Sequence, residues 1–143
     1  MKIKKVREVK TPSRGTSLSA GIDFYVPYDF KGTVLLPNKS IVIPSGIIVD
    51  VPKGHALIAF NKSGIAINKD FQVGACVVDE DYQGEIHIHL TNIGKKVRVI
   101  EPGDKIIQFI LIPVLYDAVE VVDILFSSET ERGSGWKGST GTK

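Results

Sequence analysis

The segment GACVVDEDYQGEIHIHLTN, residues 74–92, sets three carboxylates (Asp79, Glu80, Asp81) and a tyrosine (Tyr82) between two apolar, β-branched runs. Several charges and an exposed aromatic are more than a tight turn needs, so the segment marks a candidate site. Other segments carry the chemistry of anion binding. In Asn61-Lys-Ser-Gly-Ile-Ala66, which follows a strand-like run, a helix start would offer backbone N–H groups beside the Lys62 ammonium and the Ser63 hydroxyl. Between Ser127 and Lys143, glycines alternate with Arg132, Ser134, Lys137, Ser139 and Thr140. Flexible N–H groups with cations and hydroxyls suit a polyanion, phosphate above all. Two single residues join them. Asp23 follows a glycine at a strand start in Ser19-Ala-Gly-Ile-Asp23, where a plain turn aspartate is the simpler reading. Gln108 interrupts an apolar strand and must find polar partners, a ligand being one option among several.

Alternation in Glu85-Ile-His87-Ile-His89-Leu places Glu85, His87, His89 and Thr91 on one strand face and Ile86, Ile88 and Leu90 on the other. Two same-face histidines with a glutamate could ligate zinc. A polar strip facing solvent or an interface explains them as well, and no further Cys or His clusters nearby. His55 reads as a loop or strand-edge residue. Cys76, the single cysteine, excludes an internal disulfide and any multi-cysteine zinc site, and its apolar setting suggests a buried, inert thiol.

These residues must be positioned by short strands. Runs at Ile22–Val26, Thr33–Leu36, Ile41–Ile43, Ile47–Val51, Ala56–Phe60, Cys76–Val78, Ile86–Leu90, Val97–Ile100, Ile106–Val114 and Val119–Val122 alternate with Gly/Pro/Asn turn signals. Such spacing predicts an all-β sandwich or barrel. The acidic segment is then the hairpin joining Cys76–Val78 to Ile86–Leu90. One short helical turn is expected at 63–68, capped by Ser63. The last 17 residues hold a single large apolar side chain, Trp136, and are expected to be mobile, with a reach of roughly 50 Å.

Length and composition fit this picture. A chain of 143 residues is one domain, long enough for a core without disulfides or metals. A formal net charge of +2 gives no argument for nucleic acid or membrane partners. The start, MKIKKVREVK, lacks the apolar core of a signal peptide, and no run approaches the roughly 18 apolar residues of a membrane span, so a cytoplasmic setting is expected.

Taken in order, AGIDF (20–24), KSGIA (62–66), GACVVDEDYQGE (74–85), GDKIIQ (103–108) and RGSGWKGSTG (132–141) resemble the five motifs of the trimeric dUTPase family. Order and spacing match across essentially the whole chain, and the third and fifth motifs are highly specific. The resemblance implies a β jelly roll of the β-clip type over residues 1–126, with one short helix and a C-terminal arm, residues 127–143, that closes over an active site. It implies a homotrimer whose sites combine motifs one, two and four of one subunit, motif three of a second and the tail of a third. The implied reaction is dUTP plus water giving dUMP and pyrophosphate, which limits uracil in DNA and supplies dUMP. Mg²⁺ would be held mainly by the triphosphate, with Asp23 near its water shell or in interface hydrogen bonding.

The implied roles fall on matching residues. Asp79 would activate the attacking water. Tyr82 would pack on the deoxyribose, and backbone around Gly74, Val78, Tyr82 and Gly84 would read uracil. Lys62, Ser63, Gly64 and Gln108 would hold phosphates, with Arg132, Lys137, Gly138, Ser139 and Thr140 clamping them from the tail. Two positions depart from the family pattern. Lys62 stands where arginine is usual, keeping charge but losing the planar fork. Trp136 replaces the second glycine of motif five while Lys137 takes the aromatic position, so Trp136 is expected to stack on uracil. Two alternatives are a non-catalytic jelly-roll binding or regulatory module and a dCTP deaminase relative. The deaminase reading is opposed by His89, which stands where those enzymes carry a catalytic glutamate.

Overall fold

The structure, a computed structural model, describes residues 1–136; the expected phosphate ligands Lys137, Gly138, Ser139 and Thr140 lie outside the described residues. The strands, in chain order, are β1 (Lys2–Lys5), β2 (Ile22–Tyr25), β3 (Thr33–Leu35), β4 (Ser40–Pro44), β5 (Ile47–Asp50), β6 (His55–Phe60), β7 (Phe71–Val73), β8 (Val77–Val78), β9 (His87–Asn92), β10 (Arg98–Ile100) and β11 (Lys105–Pro113), with helix α1 (Ser63–Lys69) between β6 and β7. They form sheets ordered β2-β11-β6-β8, β4-β9-β7, β1-β5 and β3-β10, every pair antiparallel. Antiparallel strands with one wet face explain the alternation seen in the sequence. In β9, Ile88 and Leu90 are buried while His87, His89 and Thr91 face outward, as the period predicts. Inward residues of all four sheets meet in one apolar cluster, in which the Phe24 and Phe109 rings pack tilted by 50° with centroids 4.5 Å apart.

Four expectations need correction. The acidic segment is not a hairpin between two paired strands. Val77 and Val78 pair with Ile58 and Leu57 of β6, whereas β9 pairs with β4 and β7. The hairpin is β7/β9, and its long loop crosses to the neighbouring sheet before returning. The second correction concerns Ser63, which does not cap the helix. Lys62 occupies the cap position in extended conformation without a side-chain cap bond, and Ser63 is the first helical residue. Third, Val119–Val122 is no strand. Its alternating valines have the right pattern but no neighbouring edge to pair with among the described residues, and Val119 and Val121 are 97% and 96% exposed. Finally, Cys76 is half-buried rather than buried. Its carbonyl accepts from Ala59 N–H at 2.7 Å, tying the loop to β6.

Candidate active site

The first cluster is built where β2, β11 and the β6–α1 junction meet. Asp23 lies opposite Gln108 in the β2/β11 ladder, and Gln108 lies opposite Phe60 in β11/β6. Asp23 is 4% exposed, and a bare buried carboxylate would be costly. Lys62 Nζ meets one of its oxygens at 2.7 Å and Lys105 Nζ the other at 3.1 Å. Both oxygens are thus taken by ammonium groups. Gln108 donates through its amide to the Asn61 carbonyl at 2.8 Å. Its amide also lies against Gly21, where a Cβ would overlap it, so glycine at 21 is what lets the Gln108 side chain lie across the strand. Ser63 and Gly64 are exposed at the start of α1, next to Lys62.

The second cluster is the β7/β9 loop. Ala75, Cys76, Val77, Val78, Tyr82, Ile86, His87 and Phe109 line a cavity of about 170 Å³. Tyr82 donates its hydroxyl to the Glu85 carbonyl at 2.9 Å. That hydroxyl lies over Gly84, where a Cβ would sit 2.4 Å from it, so the Gln-Gly step holds the tyrosine against the loop. Asp79, directly after Val78, is exposed, and among the described residues its carboxylate has no hydrogen-bonded or ionic partner. Its neighbours are spoken for. Glu80 accepts from Gly54 N–H at 2.7 Å and from the Tyr116 hydroxyl at 2.8 Å. The Gly54 bond first, and Tyr116 next, hold the Glu80 carboxyl below its usual range, and the same contact raises the Tyr116 phenol. Glu85 accepts from Gly46 N–H and Arg7, bracing the loop's far end, and raises the Arg7 guanidinium. Asp79, Glu80, Asp81 and Tyr116 surround a groove of about 340 Å³.

The two clusters lie on opposite faces of one strand. Phe109 lines the loop cavity, and neighbouring strand residues point to opposite sides, so Gln108 and Asp23 face away from it. Arg132 belongs to neither cluster. Arg132 Nε donates to the Gly135 carbonyl at 3.3 Å, and Trp136 is 80% exposed. Lys105, Asn61 and the Gly54–Glu80–Tyr116 link were not singled out from the sequence. Lys105 had a signal, since it lies two residues past Gly103 in the same motif as Gln108.

An all-antiparallel chain whose sheets enclose one core, with long loops carrying its polar groups, is a β-clip jelly roll, as are the solved structures it superposes on. The dUTPase of Staphylococcus bacteriophage 80alpha, solved as a mutant with dUpNHpp, aligns with a TM-score of 0.86 over 98% of this chain and 97% of that one, at 21% identity. The dUTPase from phage phi11 of S. aureus aligns at 0.80 over 89% and 98%, at 19% identity. Sequence supplies the family. The dUTPase family pattern matches residues 7–141, and the chain belongs to the dUTPase family. It is 35% identical over 144 residues to the deoxyuridine 5'-triphosphate nucleotidohydrolase of Hydrogenobaculum sp. (strain Y04AAS1), spanning 99% of this chain and 97% of that relative. It is 38% identical over 130 residues to the mitochondrial human protein of that name, spanning 91% of this chain and about half (50%) of the relative.

Proposed function

We propose that the chain hydrolyses dUTP to dUMP and pyrophosphate by in-line attack of water on the α-phosphorus. The observation that carries this reading is the small cavity lined by residues 75–78 and Tyr82, with Asp79, whose carboxylate has no partner among the described residues, at the next position. Uracil enters the cavity and meets main-chain groups, and Tyr82 packs on the deoxyribose where a ribose 2′-OH would need room. Asp79 positions the water and takes its proton. A carboxylate is a weak base, so positioning contributes as much as basicity. Ser63, Gly64, Lys62 and Gln108 hold phosphate oxygens, and Arg132 with the residues beyond 136 closes over them. Trp136 stacks on the base in that closed state. If Trp136 fluorescence and turnover of Trp136→Ala are both indifferent to dUTP, that last assignment falls.

Mg²⁺ would enter with the triphosphate, and the donor set supports this. Asp23 has both oxygens engaged by lysines, so it orders the phosphate-side cations rather than presenting a bare metal ligand. Bound Mg²⁺ would neutralise phosphate charge and fix the chain's conformation.

The working unit is a homotrimer. Two features support a shared site. The cavity and the Asp23–Gln108 cluster open on opposite faces of β11, so a nucleotide touching both must draw them from different copies. Leu115, Val119, Val121, Ile124, Leu125 and Phe126 are each more than two-thirds exposed, which calls for a second copy to cover them. No helix among the described residues is long and apolar enough to cross a membrane. A cytosolic location fits a soluble nucleotide substrate, and cell fractionation would test it. The decisive assay offers dUTP, dTTP, dCTP and UTP with Mg²⁺ and scores pyrophosphate. Release from dUTP alone is expected. No release from any of them, or ammonia from dCTP, would overturn the reading.

A further inference from the structure

We propose that His89 is a positioning residue for base recognition, holding the Gly74–Val78 backbone through a hydrogen bond that only its neutral imidazole can make. The inference deepens the dUTP reading and rests on it. The β7/β9 ladder runs through Phe71↔Asn92, Gln72↔Thr91 and Val73↔Leu90, and Gly74 N–H continues it to the His89 carbonyl at 3.0 Å. There the ladder ends. Ala75 N–H turns instead to the His89 ring, reaching Nδ1 at 2.9 Å. A backbone N–H can only donate, so Nδ1 accepts and the ring proton sits on Nε2.

Gly74 makes this geometry possible. A Cβ at 74 would lie 2.2 Å from His89 Nδ1 and 2.5 Å from Cε1, so the imidazole rests directly against the glycine backbone. One residue therefore holds two successive N–H groups, Gly74 through its carbonyl and Ala75 through its ring, and residues 75–78 line the cavity. Ala75 is exposed, so water can replace the imidazole as acceptor. What disappears with His89 is the fixed position of the wall, and the consequence belongs to binding and base discrimination rather than to the chemical step.

Protonation has the same effect as removal. An imidazolium carries hydrogen on both nitrogens, which sets two donors face to face and drives the loop away. Few other charges intervene from the paired strands. On the outward face β4 presents Val42, flanked by Ser40 and Pro44, and β7 presents Gln72 and Gly74. On β9 itself the neighbours are Thr91 and His87, the latter with Nδ1 2.9 Å from the Glu85 carbonyl.

Two variants separate positioning from bulk packing. His89→Asn keeps an acceptor near the Nδ1 position but does not titrate; His89→Val removes it. Steady-state kinetics with dUTP and dCTP across about pH 5–8, the range in which imidazoles change charge, read the difference. At neutral pH His89→Val should raise KM for dUTP about tenfold, with kcat within about twofold, and should narrow the preference over dCTP. His89→Asn should keep a near-native KM, and any rise in KM that the native enzyme shows toward acid pH should be lost in it. A native KM and preference in His89→Val, or an undiminished acid-side rise in His89→Asn, would overturn the proposal. Amide exchange at Ala75 gives a readout free of turnover: slow in the native protein and His89→Asn, fast in His89→Val, with equal rates in all three counting against it. If the native protein releases no pyrophosphate from dUTP, the dUTP reading fails and takes this inference with it. If it does and His89→Val matches it, only this inference fails.

Discussion

Around Asp23, charged side chains hold one another in place; in the Gly74–Gly84 loop the Asp79 carboxylate has no partner among the described residues. Asp23 is buried against two lysines, and Gln108 is pinned by the Asn61 carbonyl. Asp79 faces solvent, while Glu80 and Glu85, which follow it in the loop, are bound to backbone N–H groups. The first region is satisfied before any ligand arrives. The second commits Glu80 and Glu85 to fixing the loop and leaves Asp79 exposed, without a partner among the described residues. The contrast predicts opposite responses to neutralising an aspartate in each: lost chemistry with intact stability at 79, lost stability at 23.

The sharpest way to break this contrast is Asp79→Asn. Turnover of dUTP should fall at least about 100-fold, a barrier increase of about 2.7 kcal/mol, with dUTP still bound. The melting temperature should hold, because no described group depends on that carboxylate. A clear drop in melting temperature would make Asp79 structural and erase the difference between the two regions. Asp23→Asn tests the other side. It leaves Lys62 and Lys105 facing a neutral group, and removing one partner of a buried ion pair is destabilising. The lysine side chains are 23% and 43% exposed, so water screens part of that cost, and a loss of about 2 kcal/mol in denaturant unfolding is expected. Stability equal to the native protein would mean the lysines are not held by Asp23 in solution.

The two regions were unequally legible in the sequence. Side-chain chemistry near a glycine or inside an apolar run announces itself, so Asp23, Gln108 and the Asp79–Tyr82 segment all stood out. Pairing partners do not. The runs at Cys76–Val78 and Ile86–Leu90 looked like two arms of one hairpin because local periodicity says which face a residue takes, not which strand it meets. Their actual partners, β6 and the β4/β7 pair, lie elsewhere in the chain. Val119–Val122 failed for the same reason, carrying a strand's alternation with no edge to receive it. β1 was missed because KIKK carries one apolar residue, and its pairing is set by β5. His89 was read by face correctly, yet its hydrogen bond to Ala75 depends on where Gly74 brings the loop.

Deleting residues after Glu131 asks whether the base side also needs the arm. The described core ends its last strand at Pro113, so the truncated chain should fold and assemble normally. The loss of Arg132, Trp136 and the residues beyond should lower kcat/KM on the order of tenfold, through weaker positioning of the phosphates. An unfolded or dissociated product would show that the tail belongs to the structure rather than to closure.

The smallest effect concerns Tyr116. Its hydroxyl donates to Glu80, next to Asp79, and contributes with the larger Gly54 bond to keeping the Glu80 carboxyl below its usual range. A depressed carboxyl stabilises the fold above the unfolded-state value and loses that contribution as pH falls through the folded one. The native melting temperature should therefore decline as pH drops below the ordinary glutamate range. Tyr116→Phe should start slightly lower at neutral pH and decline less steeply in acid, while the Gly54 bond preserves part of the slope. Glu80 is half-buried and still screened by solvent, so the shift amounts to about a degree in melting temperature. Parallel acid limbs for the two proteins would show that Tyr116 does not reach Glu80 in solution, and that the loop bearing Asp79 is braced by Gly54 and Glu85 alone.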